Sequence, residues 1–342
     1  MLRPVFHVTR RALSYRALNE RGTEFLKTRV GRYVKLGILG GTIVLYPIGL
    51  LIADGPLVKF TFPWRYPCEP VPAQFERLLD EEYALFLLGQ GRKPEDAVNN
   101  FHLLTDAEKQ DSVARGSLGV RTGLEVALPF FFTYYNAADA LCDLRQRFPK
   151  SLPQFGENIE IDWDSRLGKM LAETFVLSDE ARRFLVQRDL LAHDGYAALG
   201  QRSLTYATFT AFSGLLVYAF HSMSNLFKGS FTSFVVFYCL FTAAAIYGSH
   251  HWHLLYRYIT DIHADSTSAR LSSSHSAGGR EYYYKWLKRN RILRELCDPL
   301  YTKVTWSGDV RGIPTKIVTR YDLLKDADED DVELSDVVGG DF

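Results

Sequence analysis

His250, His251 and His253 are the densest group of metal-binding side chains in the 342-residue chain. On a continuous helix His250, His253, Arg257, Asp261 and Asp265 recur at steps of three, four, four and four, so they share one stripe. A stripe of imidazole and carboxylate has the right donors for a divalent cation, yet a closed or catalytic shell needs ligands converging from more than one direction. The same residue types also suit the polar end of a membrane span. Zinc-peptidase chemistry needs two His one helical turn apart with a Glu base, H-E-x-x-H, and the chain has none. A Gly-rich phosphate loop and a G-x-S-x-G elbow are absent too. Cys68, Cys142, Cys239 and Cys297 form no C-x-x-C and have no regular spacing, which fits neither a disulfide framework nor a zinc module. Residue chemistry therefore reads as non-catalytic, with no cofactor and no resident metal. The alternative is a membrane metallopeptidase or metal-handling protein using His250, His253 and Asp261.

The elements that would carry these residues are set by where charge is missing. Leu36 to Ala53 is uncharged and, at 1.5 Å per residue, spans roughly 27 Å, close to the hydrocarbon thickness of a bilayer. Between Arg202 and Arg257 the only charged residue is Lys228, and the break at Asn225, Lys228, Gly229 and Ser230 is a turn by composition. Three transmembrane helices follow, over 36–53, 203–227 and 229–256. A mean hydropathy of −0.10 excludes a polytopic transporter, so the membrane content is local. Net charge is zero but unevenly spread. Residues 1–35 hold nine Lys or Arg against two Glu, and the tail over 325–342 holds eight acids with Lys325 as its only base. Nucleic acid is not an expected partner, because the body between the ends is near neutral.

The first eighteen residues contain four Arg and no acid, the pattern of a mitochondrial targeting segment. With the bases clustered ahead of the first span, the N-terminus is expected on the matrix side. Soluble parts at 54–202 and 257–324 then share the opposite face, which in mitochondria is the intermembrane space. The expected protein is a multi-pass inner-membrane protein of α+β class, with a mainly helical soluble domain, a small sheet and an acidic disordered tail.

Within the soluble parts, Pro56 to Pro72 reads as an extended tether and Ala73 to Leu88 as a helix. Leu118 to Tyr135 has the β-branched and aromatic bias of buried strands. Ala138 to Arg147 and Asp164 to Thr174 read as short helices. Ser178 is the expected N-cap of a helix running to His193, with acids in its first turn. The third span is expected to run on as helix to Leu271, Ser272 to Gly279 to end it, and Arg280 to Arg294 to form a further helix. Tyr282, Tyr283 and Trp286, with Lys288, Arg289 and Arg291, are expected to form a partner surface on that helix.

Tyr258 followed after five residues by Ala264-Asp265, then Ala277-Gly278-Gly279-Arg280-Glu281-Tyr282-Tyr283-Tyr284-Lys285 and Asn290-Arg291, resembles the signature of the transmembrane protein 177 family. The resemblance covers roughly residues 30–320 and departs at Tyr282, where the family usually has Phe, and at the acidic tail. It implies a mitochondrial inner-membrane protein without enzymatic activity that supports biogenesis of cytochrome c oxidase subunit II (complex IV assembly). The implied partners are that subunit, its chaperone and its copper-delivery factors. The layout also resembles the HtpX-type membrane metallopeptidases: strand region, active-site helix, two spans, then a helix with E-x-x-A-D. Here Arg188-Asp189-Leu190-Leu191-Ala192 stands in place of H-E-x-x-H, and Asp261-x-x-Ala264-Asp265 carries Asp in place of the Glu ligand. That second resemblance implies a degenerate metallopeptidase-like scaffold, a pseudo-active site in which Arg188 and Asp189 face Asp261 and Asp265 where zinc would be, the guanidinium replacing the cation.

Overall fold

The computed structural model describes residues 15–93, 99–223 and 229–325. The far N-terminus, part of the turn between the second and third spans, and the acidic stretch after Lys325 lie outside the described residues. The chain divides into two compact units, Met1–Gly49 with Arg202–His253, and Leu50–Gln201 with Leu254–Phe342.

In the first unit, α1 (Tyr15–Lys27) precedes α2 (Arg29–Asp54), and the apolar parts of α8 (Gly195–Met223) and α9 (Phe231–Ala269) complete it. Among the described residues, α2, α8 and α9 are the three helices long and apolar enough to cross a membrane. Leu45, Phe212, Leu215, Leu240 and Tyr247 are exposed on them, as lipid-facing side chains should be. Leu26 of α1 joins Leu39, Val217 and Phe234 of these helices in the unit's small core. Part of the basic segment is built into this unit, since α1 satisfies the free N–H groups that open α9. Thr232 N donates to Asn19 Oδ1 at 2.9 Å, and Phe231 N donates to Thr23 Oγ1 at 2.9 Å.

The second unit carries the main core. Its mixed sheet has the order β1-β2-β4-β3, from β1 (Cys68–Pro70), β2 (Asn99–Leu104), β3 (Val113–Gly116) and β4 (Leu124–Leu128). β2 and β4 are parallel, with Phe101 opposite Val126, and the other pairings are antiparallel. Every residue of β4 is buried, which is why Leu-Glu-Val-Ala-Leu shows no clean alternation. The expected strand region over 118–135 is thus shorter than its apolar run. Pro129 cannot donate to a ladder and turns the chain into a 3-10 turn, where Phe130, Phe131 and Phe132 pack inward.

Two further segments differ from expectation. Inside the expected tether, Val58–Arg65 forms α3, because Phe62 packs with Leu104 and Ala127 and Val58, one helical turn earlier, is buried as well. The Ser- and Gly-rich 272–279 opens a helix instead of ending one. Ser272 caps it by accepting from His275 N, and α10 runs Ser273–Leu296. Its glycines are a packing device: a Cβ on Gly278 would lie 2.2 Å from the Glu180 carbonyl oxygen, so this helix can cross its neighbour only with hydrogen there. That neighbour is α7 (Asp179–Ala192), capped by Ser178 and buried on nearly every face from Ala181 to Leu190. Around the pair lie α4 (Ala73–Gly89), α5 (Ala137–Arg147), the hairpin of β5 (Ser151–Gln154) and β6 (Glu157–Glu160), α6 (Arg166–Glu173), and a last helix, α11, over 317–325. One hydrophobic core joins residues from Phe75 to Leu190 with residues from Ala269 to Leu324.

Candidate functional site

α7 is an unusual core helix because it buries Arg182, Gln187, Arg188 and Asp189 along with its leucines. Buried charge must be paired within the fold, and each of these side chains finds its partners on a different element. Arg188, 4% exposed, donates from Nη2 to Asp189 Oδ1 at 2.8 Å, to Asp111 Oδ1 at 2.6 Å and to Ser112 Oγ at 2.7 Å. Asp111 and Ser112 come from the connection between β2 and β3. From α10, Tyr282 Oη donates to Asp111 Oδ1 at 2.9 Å, and Tyr283 Oη donates to Asp265 Oδ1 at 2.7 Å. Arg188 Nη1 lies 3.4 Å from Tyr283 Oη, and Arg320 on α11 grips Asp265 with Nε at 2.5 Å and Nη2 at 2.8 Å. The result is a chain of groups, Asp189–Arg188–Tyr283–Asp265–Arg320 with Asp111 and Tyr282 at one side, drawn from four helices and a loop.

Three carboxyl groups and two guanidinium groups meet here, so full ionisation would leave one excess negative charge. Burial pushes Asp111 up, but Arg188 and Arg320 outweigh it and hold its carboxyl below the ordinary range. Asp189 goes the other way: burial raises it, with the Asp111 charge adding to the rise against Arg188. Of these two carboxyl groups, Asp189 therefore holds its proton to the higher pH. Burial pulls Arg188 down, and Asp111 and Asp189 more than reverse that, keeping the guanidinium charged. Burial also lifts both tyrosine hydroxyls well above their usual value, so they remain donors.

Three of the four pseudo-active-site positions, Arg188, Asp189 and Asp265, lie in this network. Asp261 does not, which corrects the expected pairing: it is half-buried one turn earlier on α9 and accepts from Thr315 Oγ1 at 2.9 Å. Arg188 also does not touch Asp265 directly, because Tyr283 stands between them. Its direct partner Asp111 sits in a loop without a motif, and Arg320 in a helix that nothing in the sequence marks. His250 and His251 are exposed and His253 is half-buried. Among the described residues no three His, Cys, Asp or Glu gather as a metal site.

The partner surface expected on α10 is largely corrected as well. Tyr282, Tyr283, Trp286 and Arg289 are buried, Lys288 is half-buried, and only Arg291 of the six is exposed. The buried positions 279, 282, 283, 286, 287, 290 and 293 make one wide face that α7 and the chain after 297 cover from two sides. Arg289 enters that face because its guanidinium lies 4.2 Å from the ring centres of both Phe131 and Phe175 and donates to the Thr174 carbonyl at 2.9 Å. With no carboxylate beside it, burial pulls its pKa down to about 9.

A second cluster, unforeseen in the sequence, fastens α4 to α7 and α10. Glu82 accepts from Arg183 Nη1 at 2.7 Å and Gln187 Nε2 at 2.8 Å and lies 3.0 Å from His275 Nε2. Burial acts to raise it, and these partners hold it below the ordinary carboxylate range. In both clusters most polar atoms are spent on one another, with Asp189 Oδ2 and Gln187 Oε1 left without a hydrogen bond, which makes them clamps between helices.

A family model described as Transmembrane protein 177 matches residues 26–342. The chain is 45% identical over 329 residues to a Caenorhabditis elegans protein named Uncharacterized protein R144.12, covering 96% of this chain and 99% of that one. It is 30% identical over 142 residues to Transmembrane protein 177 of Danio rerio, covering 40% of this chain and 44% of the relative. No solved structure matches it. Three membrane-length helices, the α10 motif residues at the centre of the fold and a match over nearly the whole chain lead to one conclusion: this protein belongs to the transmembrane protein 177 family.

Proposed function

We propose that the protein is a non-catalytic factor of the mitochondrial inner membrane that supports biogenesis and stability of cytochrome c oxidase subunit II. The family supports this role, together with the acid-free N-terminal segment and the bases ahead of α2. The observation that carries the non-catalytic part is the closed Arg188 network. At the place where a peptidase of similar layout needs two His and an acid aimed at substrate, a 4%-exposed guanidinium is tied to Asp111, Asp189 and Tyr283. Such a centre fixes helices and offers no group to a peptide bond. The soluble unit then serves as a rigid platform held beside the bilayer, where a newly inserted subunit, its chaperone or its copper-delivery factors dock.

Isolation of the tagged protein after pulse-labelling mitochondrial translation tests the reading. Selective recovery of newly made subunit II is expected. Recovery of no translation product, or of all in equal proportion, refutes it.

A further inference from the structure

The most exposed large aromatic side chains near a span end lie on α3. Trp64 is 85% exposed, Phe60 78% and Leu57, just before the helix, 43%. At three- and four-residue steps they form one apolar stripe, while on the opposite side Val58 is buried and Phe62 packs with Leu104 and Ala127 of the sheet. Among the described residues of the unit nothing covers this stripe, so what covers it must be sought from its position.

That position is fixed by hydrogen bonds to the end of α2. Val58 N donates to the Gly55 carbonyl at 3.0 Å, Thr61 Oγ1 donates to the Ala53 carbonyl at 2.7 Å, and Arg65 Nη1 meets Asp54 Oδ1 at 3.1 Å. The first, middle and last turns of α3 therefore all touch residues 53–55. A helix leaving the bilayer steeply would bring only its first turn to that level, and α3, about 12 Å long, brings its whole length. Those residues are also where the uncharged run of α2 meets its first charge, Asp54, so they mark the level at which the span leaves the hydrocarbon. Leu199 lies 3.8 Å from the Cβ position of Gly55, and three residues before it Tyr196 is exposed at the start of α8. Aromatic rings with flanking bases, here Lys59 and Arg65, are the side chains that settle at a headgroup boundary.

We infer that α3 is an interfacial helix, lying on the membrane that α2 crosses with Leu57, Phe60 and Trp64 in the boundary between headgroups and acyl chains. It rests on the reading of α2 as a span and is independent of the subunit II proposal.

The test uses the full-length protein in phosphatidylcholine nanodiscs whose acyl chains are brominated either near the headgroup or near the chain end. The share of emission belonging to Trp64 is taken as the difference from Trp64→Phe. Quenching by the shallow bromines of about twofold, exceeding that by the deep ones and with protection from aqueous iodide, is expected for a ring roughly 5–10 Å into the boundary. Phe60→Trp in the Trp64→Phe background should respond in the same way, and Trp163, 3% exposed, to neither quencher. Emission of Trp64 that iodide quenches and neither brominated lipid affects overturns the inference. Unfolding temperatures matching the parent's show that these exposed substitutions leave the fold intact.

Discussion

Removing the Arg188 guanidinium leaves Asp111 and Asp189 facing each other without their shared cation. Breaking a buried pair from one side costs about 3–5 kcal/mol, so Arg188→Met should lower the unfolding temperature of the detergent-solubilised protein markedly. The two carboxyl groups are not equivalent. Asp111, held below its ordinary range, contributes stability that is complete above the unfolded value, near 3.9, and lost as pH falls through the lower folded one. Asp189, raised by burial, has the opposite sign: its contribution is complete below the unfolded value and lost as pH rises through the folded one. Asp111→Asn should therefore reduce thermal stability at pH 7 more than Asp189→Asn, whose amide oxygen still accepts from Arg188. Equal losses would show that Asp189 is ionised in the folded protein. Glu82, also held low, should add to the acid sensitivity, and Glu82→Gln should flatten the fall in unfolding temperature below about pH 4.3.

At the scale of elements, the α7–α10 crossing decides whether either cluster can assemble. Gly278 faces backbone, and backbone cannot rotate away as a side chain does. Overpacking at such a contact costs typically about 1–3 kcal/mol and more where relaxation is blocked, so Gly278→Ala should sharply raise susceptibility to limited proteolysis. Gly200→Ala on α8 is the matched control, with open space around its Cβ position, and should be neutral or slightly stabilising. Much of the helical content was legible because its signals are local. Ser178 before Asp179-Glu180 starts α7, and Ala73 to Leu88 shows its apolar period. Where a signal was ambiguous it misled: Ser272 to Gly279 has loop composition, yet one Ser caps a helix and two Gly admit a crossing. Only the presence of α7 beside those glycines distinguishes the two uses.

For the whole molecule, the proposed inner-membrane location together with the charge bias predicts that the soluble unit faces the intermembrane space, and Cys142, exposed on α5, tests that prediction. A membrane-impermeant maleimide should label Cys142 in mitoplasts with the inner membrane intact. Labelling only after the inner membrane is dissolved would invert the topology.

The sequence by itself determined the three apolar helices, the charge asymmetry, the absence of H-E-x-x-H and the family motif around α10, since each is carried by composition or short-range spacing. It marked Arg188, Asp189 and Asp265 as belonging together only through resemblance to a layout. The tertiary structure alone decided that Asp111, Tyr283 and Arg320 complete that group, that Asp261 stands apart, and that the α10 aromatics face inward. The physical reason is common to all three: a buried charge is partnered by whatever the fold brings within about 3 Å, and those partners lie up to 171 residues away along the chain. No local pattern records that proximity.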